Sequence, residues 1–287
     1  MAYPLMEHLT GKGFLYCGKY YRVSSELTES LQKPVDCRIY YETVRVKDGV
    51  LLFVEDHLAR LVKSVKGLEN FPVNTMKILS ESYSLIDMDK VTDGSIRIVL
   101  TNEVLLIHQA DITLPGPELF ENGINTSILN WERKTPNLKI FRGDYKTTVN
   151  QKFKEENGHG MPFELVLTDN EGKLYEGSMS NLFVIRDGRV YSAPDEKILI
   201  GITRKRVMEA LKRSGLELQI GTFKPEELDP STDAVFVSST PFDILPVRYI
   251  DGYEFTSGKN DVLQMISKMY QEYTSEYITA EKQRLNR

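Results

Sequence analysis

The chain has 287 residues, of which 41% are apolar and 27% charged, a composition typical of globular proteins and a length that suits two medium-sized domains. Its formal net charge of -5 opposes the binding of nucleic-acid phosphates, which requires concentrated basic charge, so a small-molecule partner is expected. Cys17 and Cys37 are too few for a zinc ligand set or a disulfide framework, and we see neither a secretory signal nor a membrane-spanning run, so we expect a cytoplasmic protein.

The first part of the chain predicts alternating strands and helices. Residues 39–46, IYYETVRV, are rich in β-branched and aromatic residues, and the turn KDG leads into VLLFV, so a hairpin is expected. The apolar residues of EDHLARLVKSVKGL have helical spacing, and on that spacing alone Arg60 faces solvent. Two strands follow, SIRIVLT and EVLLIHQ. In the first of them Arg97 points away from Ile96 and Ile98, toward either a cleft or the solvated face of an edge strand.

A break in periodicity divides the chain. The segment LPGPELFENG contains two prolines and two glycines, and it predicts an interdomain linker over residues 117–123. Before it we expect a small α/β domain, residues 1–116, and after it a larger strand-rich domain, residues 124–287. The second part contains the strands FELVLTD, AVFVSS and NLFVIRDGRVYSA, the last with a turn at Asp187 and Gly188. It also contains a helix that starts near GITRKRVMEALKRSG and a C-terminal helix.

Three common classes of enzyme lack their motifs here. GYEFTSGKN looks like a phosphate-binding loop, but five residues instead of four separate its glycines, and Asn follows the lysine where Ser or Thr would bind magnesium. The sequence has no Gly-x-Gly-x-x-Gly for a dinucleotide. Its four histidines show neither metal-ligand spacing nor an obvious nucleophile partner. A phosphate-loop NTPase, a Rossmann enzyme and a zinc hydrolase are therefore not expected.

Three polar segments carry residue types suited to a functional site. LYEGSMSNLFVIRDG places Glu176 at a strand end, before a turn of small polar residues. In LIGITRKRV, Gly201 ends a strand, and the backbone N–H groups of Ile202 and Thr203 open a helix, where a phosphate can bind. FVSSTPFDILPV ends a strand in a hydroxyl-rich turn that can present donors to an anion. Alone, each segment also fits an ordinary turn or helix cap.

In this order, the segments EGSMSNLF, GITR and SSTPFDILPV resemble the class IV pyridoxal-phosphate enzymes, which include branched-chain aminotransferases, D-amino-acid aminotransferases and aminodeoxychorismate lyases. The upstream segment YYETVRVKDG…EDHLARLVKSV is similar to the family as well, so the resemblance covers roughly residues 39 to 251. It implies a two-domain α/β (α+β) fold of fold type IV and the cofactor pyridoxal 5'-phosphate. It further implies transfer of an amino group between an amino acid, with branched-chain-like substrates favoured, and a 2-oxo acid. A homodimer with its site near the subunit interface is also implied.

The resemblance assigns roles to individual residues. Glu176 would pair with the pyridine nitrogen of the cofactor. The other residues expected to contact the cofactor are Arg60, Ser180, Asn181, Ile202, Thr203, Ser239 and Thr240. Of these, Arg60, Thr240 and the backbone N–H groups of Ile202 and Thr203 would hold the phosphate. The residues expected to line the substrate site are Tyr41, Arg97, Thr240 and Pro241.

The cofactor also requires a lysine that binds it covalently, and two candidates remain. In the family this lysine precedes a helix of about five turns that ends at a glycine-containing turn. Lys139 leaves nineteen residues before Gly158, enough for that helix, whereas Lys146 leaves only twelve. Family members usually have an asparagine three or four residues after the lysine, and here Lys146 keeps one, Asn150. We take Lys139 as the catalytic lysine and keep Lys146 as the alternative.

Two alternatives to an aminotransferase stay open. An aminodeoxychorismate lyase would use the same cofactor residues. A binding protein that kept the fold and lost the chemistry is suggested by the unusual residues after Lys139, and by the segment ESLQKPVDCRIYYE, which lacks the turns usual in the family. The identity and the stereochemistry of the amino acid do not follow from the sequence.

Overall fold

The computed structural model describes residues 3–7, 9–112 and 114–286 of the chain. The chain divides into two compact units. The first unit comprises Met1–Thr113, Leu138–Asp144 and Ser275–Arg287, and the second unit comprises Leu114–Asn137 and Tyr145–Thr274. The first unit is thus assembled from three separate stretches of chain.

The first unit is built on a six-stranded antiparallel sheet. Up to residue 112 its elements are β1 Tyr3–Pro4, β2 Leu9–Tyr16, β3 Lys19–Arg22, α1 Glu26–Leu31, β4 Pro34–Val35, β5 Tyr40–Lys47, β6 Val50–Leu51, α2 Val54–Lys66, α3 Thr75–Asp89, β7 Gly94–Leu100 and β8 Leu105–Ala110. The strand order is β3, β2, β8, β7, β5, β6, and β1 pairs separately with β4. Leu58, Leu61 and Val65 of α2 pack into one core cluster with the buried side chains of β5 and β7.

Strand β5 shows how the sequence places a charged residue in this core. Burial alternates along the strand, with Tyr40, Glu42 and Val44 buried and Tyr41 and Thr43 partly exposed. This is the alternation that a pleated strand imposes when one face packs on the core. Glu42 therefore occupies a core position, where its carboxylate requires charged or hydrogen-bonding partners.

Three expectations for the first unit can be compared with the structure. The second strand of the hairpin is confined to Val50–Leu51, because Phe53 adopts a left-handed conformation with φ 52° and turns the chain into α2. Ile96 and Ile98 are fully buried and Arg97 is partly exposed, as the alternation predicts. The edge-strand alternative for Arg97 is wrong, because β7 lies between β5 and β8.

The second unit contains a mixed nine-stranded sheet. From residue 117 onward the elements are α4 Pro117–Asn122, β9 Ile124–Asn130, α5 Gly143–Lys152, β10 Glu164–Thr168, β11 Leu174–Gly177, β12 Asn181–Arg186, β13 Arg189–Ser192, α6 Ile202–Arg213, β14 Leu218–Ile220, β15 Ala234–Ser239, β16 Asp243–Ile250, β17 Tyr253–Glu254 and α7 Asp261–Leu285. The strand order is β11, β10, β9, β16, β15, β12, β13, β14, and β17 pairs with β16. The first two residues of α5 and the end of α7 belong to the first unit.

Local expectations for the second unit are partly confirmed. Asp187 and Gly188 both have positive φ and form the tight turn between β12 and β13, as predicted. The segment predicted as a linker forms the short helix α4. The expected helix of about five turns is wrong, since α5 has 10 residues and starts at Gly143. Gly201 does not end a strand but caps the N-terminus of α6. Among the described residues, no helix combines the length and apolar character needed to cross a membrane.

Candidate active site

In the first unit, the backbone around Lys139 is fixed by hydrogen bonds to two other segments. The N–H group of Lys139 donates to Oγ of Ser64 on α2 at 3.1 Å. The N–H group of Phe141 donates to the carbonyl of Ile39 at 3.1 Å, and Ile140 forms an isolated bridge with Tyr40 of β5. These contacts attach the lysine segment to α2 and to the residues that precede the buried Glu42.

Glu42 holds two cationic groups and a histidine of the first unit together. Its carboxylate accepts from Nε of Arg60 at 2.8 Å and from Nη2 of Arg60 at 2.6 Å. Nδ1 of His57 lies 2.7 Å from the same carboxylate, and Nζ of Lys139 lies 3.9 Å from it. His57, Arg60 and Ser64 share one side of α2 because they are three and four residues apart. We call Glu42, His57, Arg60 and Lys139 the Glu42 cluster.

The charges of this cluster are set by burial and by one another. Burial by itself would raise the pKa of Glu42, but the charges of Arg60 and Lys139 outweigh it and hold that pKa well below the usual value. Burial lowers the pKa of His57 to about 4, against the opposite influence of Glu42. Near neutral pH the histidine is therefore uncharged and donates its Nδ1 proton to an ionised Glu42.

The burial of Arg60 contradicts the interpretation based on helix periodicity. That pattern placed Arg60 in solvent, yet its residue exposure is only 9%. The spacing of apolar residues indicates which side of α2 packs on the core. A second side of the same helix is also buried, around the ion pair of Arg60 with Glu42. Nothing in the spacing of apolar residues signals this, because Glu42, the partner of Arg60, lies 18 positions away on a strand.

Tyr41 brings the remaining predicted residues of the first unit together. The Arg97 guanidinium lies over the Tyr41 ring, 4.6 Å from its centroid, and Nζ of Lys139 lies 5.2 Å from the same centroid. Nη2 of Arg97 also forms an ion pair with Glu7 at 3.4 Å. The first unit thus gathers Tyr41, Arg60, Arg97 and Lys139 around one aromatic ring and one buried carboxylate.

In the second unit, Glu176 is a buried acid paired with an arginine. Its exposure is 1%, Nε of Arg133 lies 2.6 Å from its Oε1, and the N–H group of Leu199 donates to its Oε2 at 3.2 Å. Burial raises the pKa of Glu176 from its usual 4.5 to about 7, although Arg133 opposes the shift. The sequence interpretation identified Glu176 but missed Arg133, whose segment WERK resembles an ordinary polar loop.

Two further residues that the sequence interpretation missed shape the surroundings of Glu176. The hydroxyl of Tyr145 donates to the Ser178 carbonyl at 2.8 Å, and Nη2 of Arg133 donates to the same carbonyl at 3.1 Å. Glu164 is fully buried and accepts from Oγ of Ser178 at 2.5 Å and from Oγ of Ser180 at 2.8 Å. The turn after Glu176 is therefore fixed from both sides.

Asn181 connects this turn to the start of α6. Its Nδ2 donates to the Leu199 carbonyl at 2.8 Å, and its Oδ1 accepts from the N–H group of Gly201 at 3.1 Å. A Cβ added at Gly201 would lie 2.2 Å from Oδ1 of Asn181, so this close approach requires glycine. Ile202 and Thr203 form the first turn of α6, whose N–H groups have no carbonyl partner within the helix.

The end of β15 lies beside these residues. Ser238 pairs across the sheet with Asn181, and Oγ of Ser239 donates to the Met179 carbonyl at 2.7 Å. Thr240 and Pro241 follow in the turn before β16 and are half-buried. The second unit thus brings Glu176, Ser180, Asn181, Ile202, Thr203 and Ser239 into one connected region. The hydroxyl of Ser180 is hydrogen-bonded to Glu164, whereas the hydroxyl of Ser239 and the amide of Asn181 are hydrogen-bonded to the backbone.

The chain belongs to the family described as Amino-transferase class IV, whose sequence profile matches residues 40–250. It is 28% identical over 226 residues to a protein of Rickettsia conorii named "Probable branched-chain-amino-acid aminotransferase", covering 74% of this chain and 77% of the relative. It is 27% identical over 236 residues to the D-alanine aminotransferase of Bacillus licheniformis, covering 76% and 81%.

The solved structures show the same fold. The branched-chain amino acid aminotransferase of Escherichia coli superposes with a TM-score of 0.75 at 24% identity, covering 90% of this chain and 93% of that one. Another branched-chain amino acid aminotransferase, determined with pyridoxamine 5'-phosphate, superposes with a TM-score of 0.77 at 20% identity, covering 93% and 95%. Class IV aminotransferases are enzymes that depend on pyridoxal phosphate, and the fold expected from the sequence is confirmed.

The residues of this chain fit that cofactor. Oγ of Ser238 is buried, and no hydrogen-bond partner for it exists among the described residues; a phosphate oxygen would provide the acceptor it needs. The start of α6 offers N–H donors on the same side of the sheet as Asn181. The second unit contains a buried acid, Glu176, and the first unit contains an amine, Lys139, and both are groups of the kind that the cofactor requires.

Proposed function

We propose that this chain is an aminotransferase that moves an amino group between an amino acid and a 2-oxo acid, with branched-chain-like substrates favoured. The observation that carries the proposal is the Glu42 cluster, in which the predicted phosphate-binding arginine and the predicted catalytic lysine meet one buried carboxylate. A solvated lysine would not require such a partner. The relative in Rickettsia conorii supports the choice of branched-chain-like substrates.

In this proposal the cofactor contacts are divided among the predicted residues. Arg60, the start of α6 and the hydroxyl-rich end of β15 hold the phosphate, and Glu176 retains a proton on the ring nitrogen. When bound, pyridoxal phosphate supplies an electron sink for the negative charge that develops at the substrate Cα. The amine of Lys139 would carry a proton between the substrate Cα and the C4′ carbon of the cofactor, and Arg97 or Tyr41 contacts the substrate.

The position of the lysine favours Lys139 over Lys146. Lys139 lies in the connection before α5, with its Nζ 3.9 Å from the Glu42 carboxylate. Lys146 lies within α5 itself, in the second unit. A family lysine precedes its helix, so the shorter helix of this chain is still compatible with Lys139.

Borohydride reduction of the native holoenzyme, followed by peptide mapping, tests this assignment. We expect the pyridoxyl label on Lys139, with Lys139→Ala losing both the visible absorbance band and turnover and Lys146→Ala keeping both. A label on Lys146 would contradict the lysine assignment. A purified protein that takes up no cofactor would contradict the proposed function as a whole.

A titration with L- and D-amino acids distinguishes the remaining alternatives. An aminotransferase shifts its visible band when a donor converts the bound cofactor to its amine form. An aminodeoxychorismate lyase would release pyruvate from its substrate, and a binding protein would show colour without a shift for any donor.

We also propose a cytoplasmic homodimer with the site near the subunit interface, which sedimentation of the holoenzyme would test.

A further inference from the structure

Arg97, the residue proposed to contact the substrate, already pairs with a carboxylate of its own chain. Its Nη2 lies 3.4 Å from Oε2 of Glu7, and the two side chains are only 15% and 12% exposed. The ring of Tyr41 covers the guanidinium at 4.6 Å from the centroid. The charge of Arg97 is therefore compensated in a partly buried position, where an ion pair is screened less than at the surface.

The position of Glu7 is built by several contacts. Tyr3 forms a side-chain hydrogen bond with Glu7, and its pKa is raised by burial and by that contact. The Tyr3 ring packs on Phe141, two residues beyond Lys139, with 3.7 Å between the centroids. The preceding residue, Met6, is 1% exposed, and its N–H group donates to the Leu31 carbonyl at 3.0 Å. A surface glutamate that meets Arg97 by chance would not be held in this way.

We infer that Glu7 is a specificity-determining residue that neutralises Arg97 and thereby selects substrates with uncharged side chains over dicarboxylic ones. The inference rests on the proposed function and specifies its substrate class. The second carboxylate of a dicarboxylic substrate could bind Arg97 only by displacing Glu7. If Glu7 stays in place, its negative charge repels that carboxylate. Every amino acid carries an α-carboxylate. If Arg97 bound that carboxylate, its ion pair with Glu7 would have to break in each catalytic cycle, so Arg97 is poorly suited to that role.

Two non-reacting acids of equal length test this inference by binding alone. Glutarate carries two carboxylates and valerate carries one, and each can be titrated calorimetrically into the holoenzyme. Glu7→Gln should raise the affinity for glutarate about ten- to a hundred-fold, the range of a charge-assisted hydrogen bond, and change valerate by less than about three-fold. Glu29→Gln, which removes the same charge from an exposed position of α1, is the matched control and should change neither affinity.

A second variant covers the case in which Glu7→Gln disturbs folding. Tyr3→Phe keeps the ring on Phe141 but removes the hydroxyl that holds Glu7, and it should produce a smaller gain in the same direction. An equal gain for both acids in Glu7→Gln, or no gain in either variant, overturns the inference.

The proposed function fails separately from this inference. A holoenzyme whose visible band shifts with no amino donor contradicts the aminotransferase assignment, whatever the two acids show. A normal donor response with unchanged glutarate affinity in both variants contradicts only the role of Glu7.

Discussion

Replacing Arg133 should change the ionisation of Glu176. The guanidinium nitrogen lies 2.6 Å from a carboxylate that is 1% exposed and whose pKa burial has already raised to about 7. Two opposite charges with centres about 4 Å apart interact by roughly 4 kcal/mol at an effective dielectric constant near 20. At about 1.4 kcal/mol per pKa unit, Arg133→Met should raise the pKa of Glu176 by about two to three units.

The variant should therefore lose activity near neutral pH and recover part of it in alkali. A protonated Glu176 is uncharged and cannot balance the charge of a protonated ring nitrogen, so turnover at about pH 7.5 should fall about a hundred-fold. Activity should rise with pH, and this rise should occur at a higher pH in the variant than in the wild type. The assay is the donor half-reaction, followed by the visible band between about pH 6 and pH 10. Arg133→Lys keeps the charge and should stay within about ten-fold of the wild type.

Unfolding of the cofactor-free protein gives a second measurement. Because the folded pKa of Glu176 is raised from 4.5 to about 7, the folded state binds more protons, and the free energy of unfolding falls as pH rises between these values. In Arg133→Met this fall should continue to higher pH, which urea unfolding at several pH values would show. A variant with the pH profile and the unfolding behaviour of the wild type would refute the argument that Arg133 controls Glu176.

Two further substitutions test the first unit and the start of α6. Glu42→Gln leaves buried cations without their anion and should lower the free energy of unfolding by about 3 to 5 kcal/mol, measured in urea. Because the pKa of Glu42 is depressed, its contribution to the free energy of unfolding should be lost only as pH falls below the usual carboxylate range. The control is Glu69→Gln, at an exposed ion pair, which should lower the free energy of unfolding by less than about 1 kcal/mol. Gly201→Ala places a Cβ 2.2 Å from Asn181 and should weaken cofactor retention about ten-fold, whereas Gly252→Ala, in open space, should not.

Part of the fold and site could be predicted from the sequence because the signals are local. The turn at Asp187 and Gly188 has a dipeptide that favours positive φ, and the apolar alternation around Arg97 fixes its strand face. The length of α5 was not predictable in this way, since the expectation of about five turns came from the resemblance to the family and not from a local signal in this sequence.

The charged groups around the site are long-range features and leave no periodic signal. Glu42 lies among core residues of β5, and its role depends on partners 15, 18 and about a hundred positions away. Arg133 lies about 40 positions before Glu176, and Glu164 lies 14 positions before Ser178. A buried ion pair of this kind is recognised only when both partners are seen in space, because neither member differs in sequence from a surface charge.

The assembly of the first unit from three stretches also determines how the protein can be dissected. Ile140, from the middle stretch, and Leu285, from the end of α7, both pack against the core formed by residues 15–107. A fragment ending at residue 113 would lack both, together with Lys139 and the contact of Tyr277 with Phe53. Expression of that fragment should yield an incomplete core. A single cut in a linker therefore does not release the first unit, and its reconstitution from separate chains would require two further peptides.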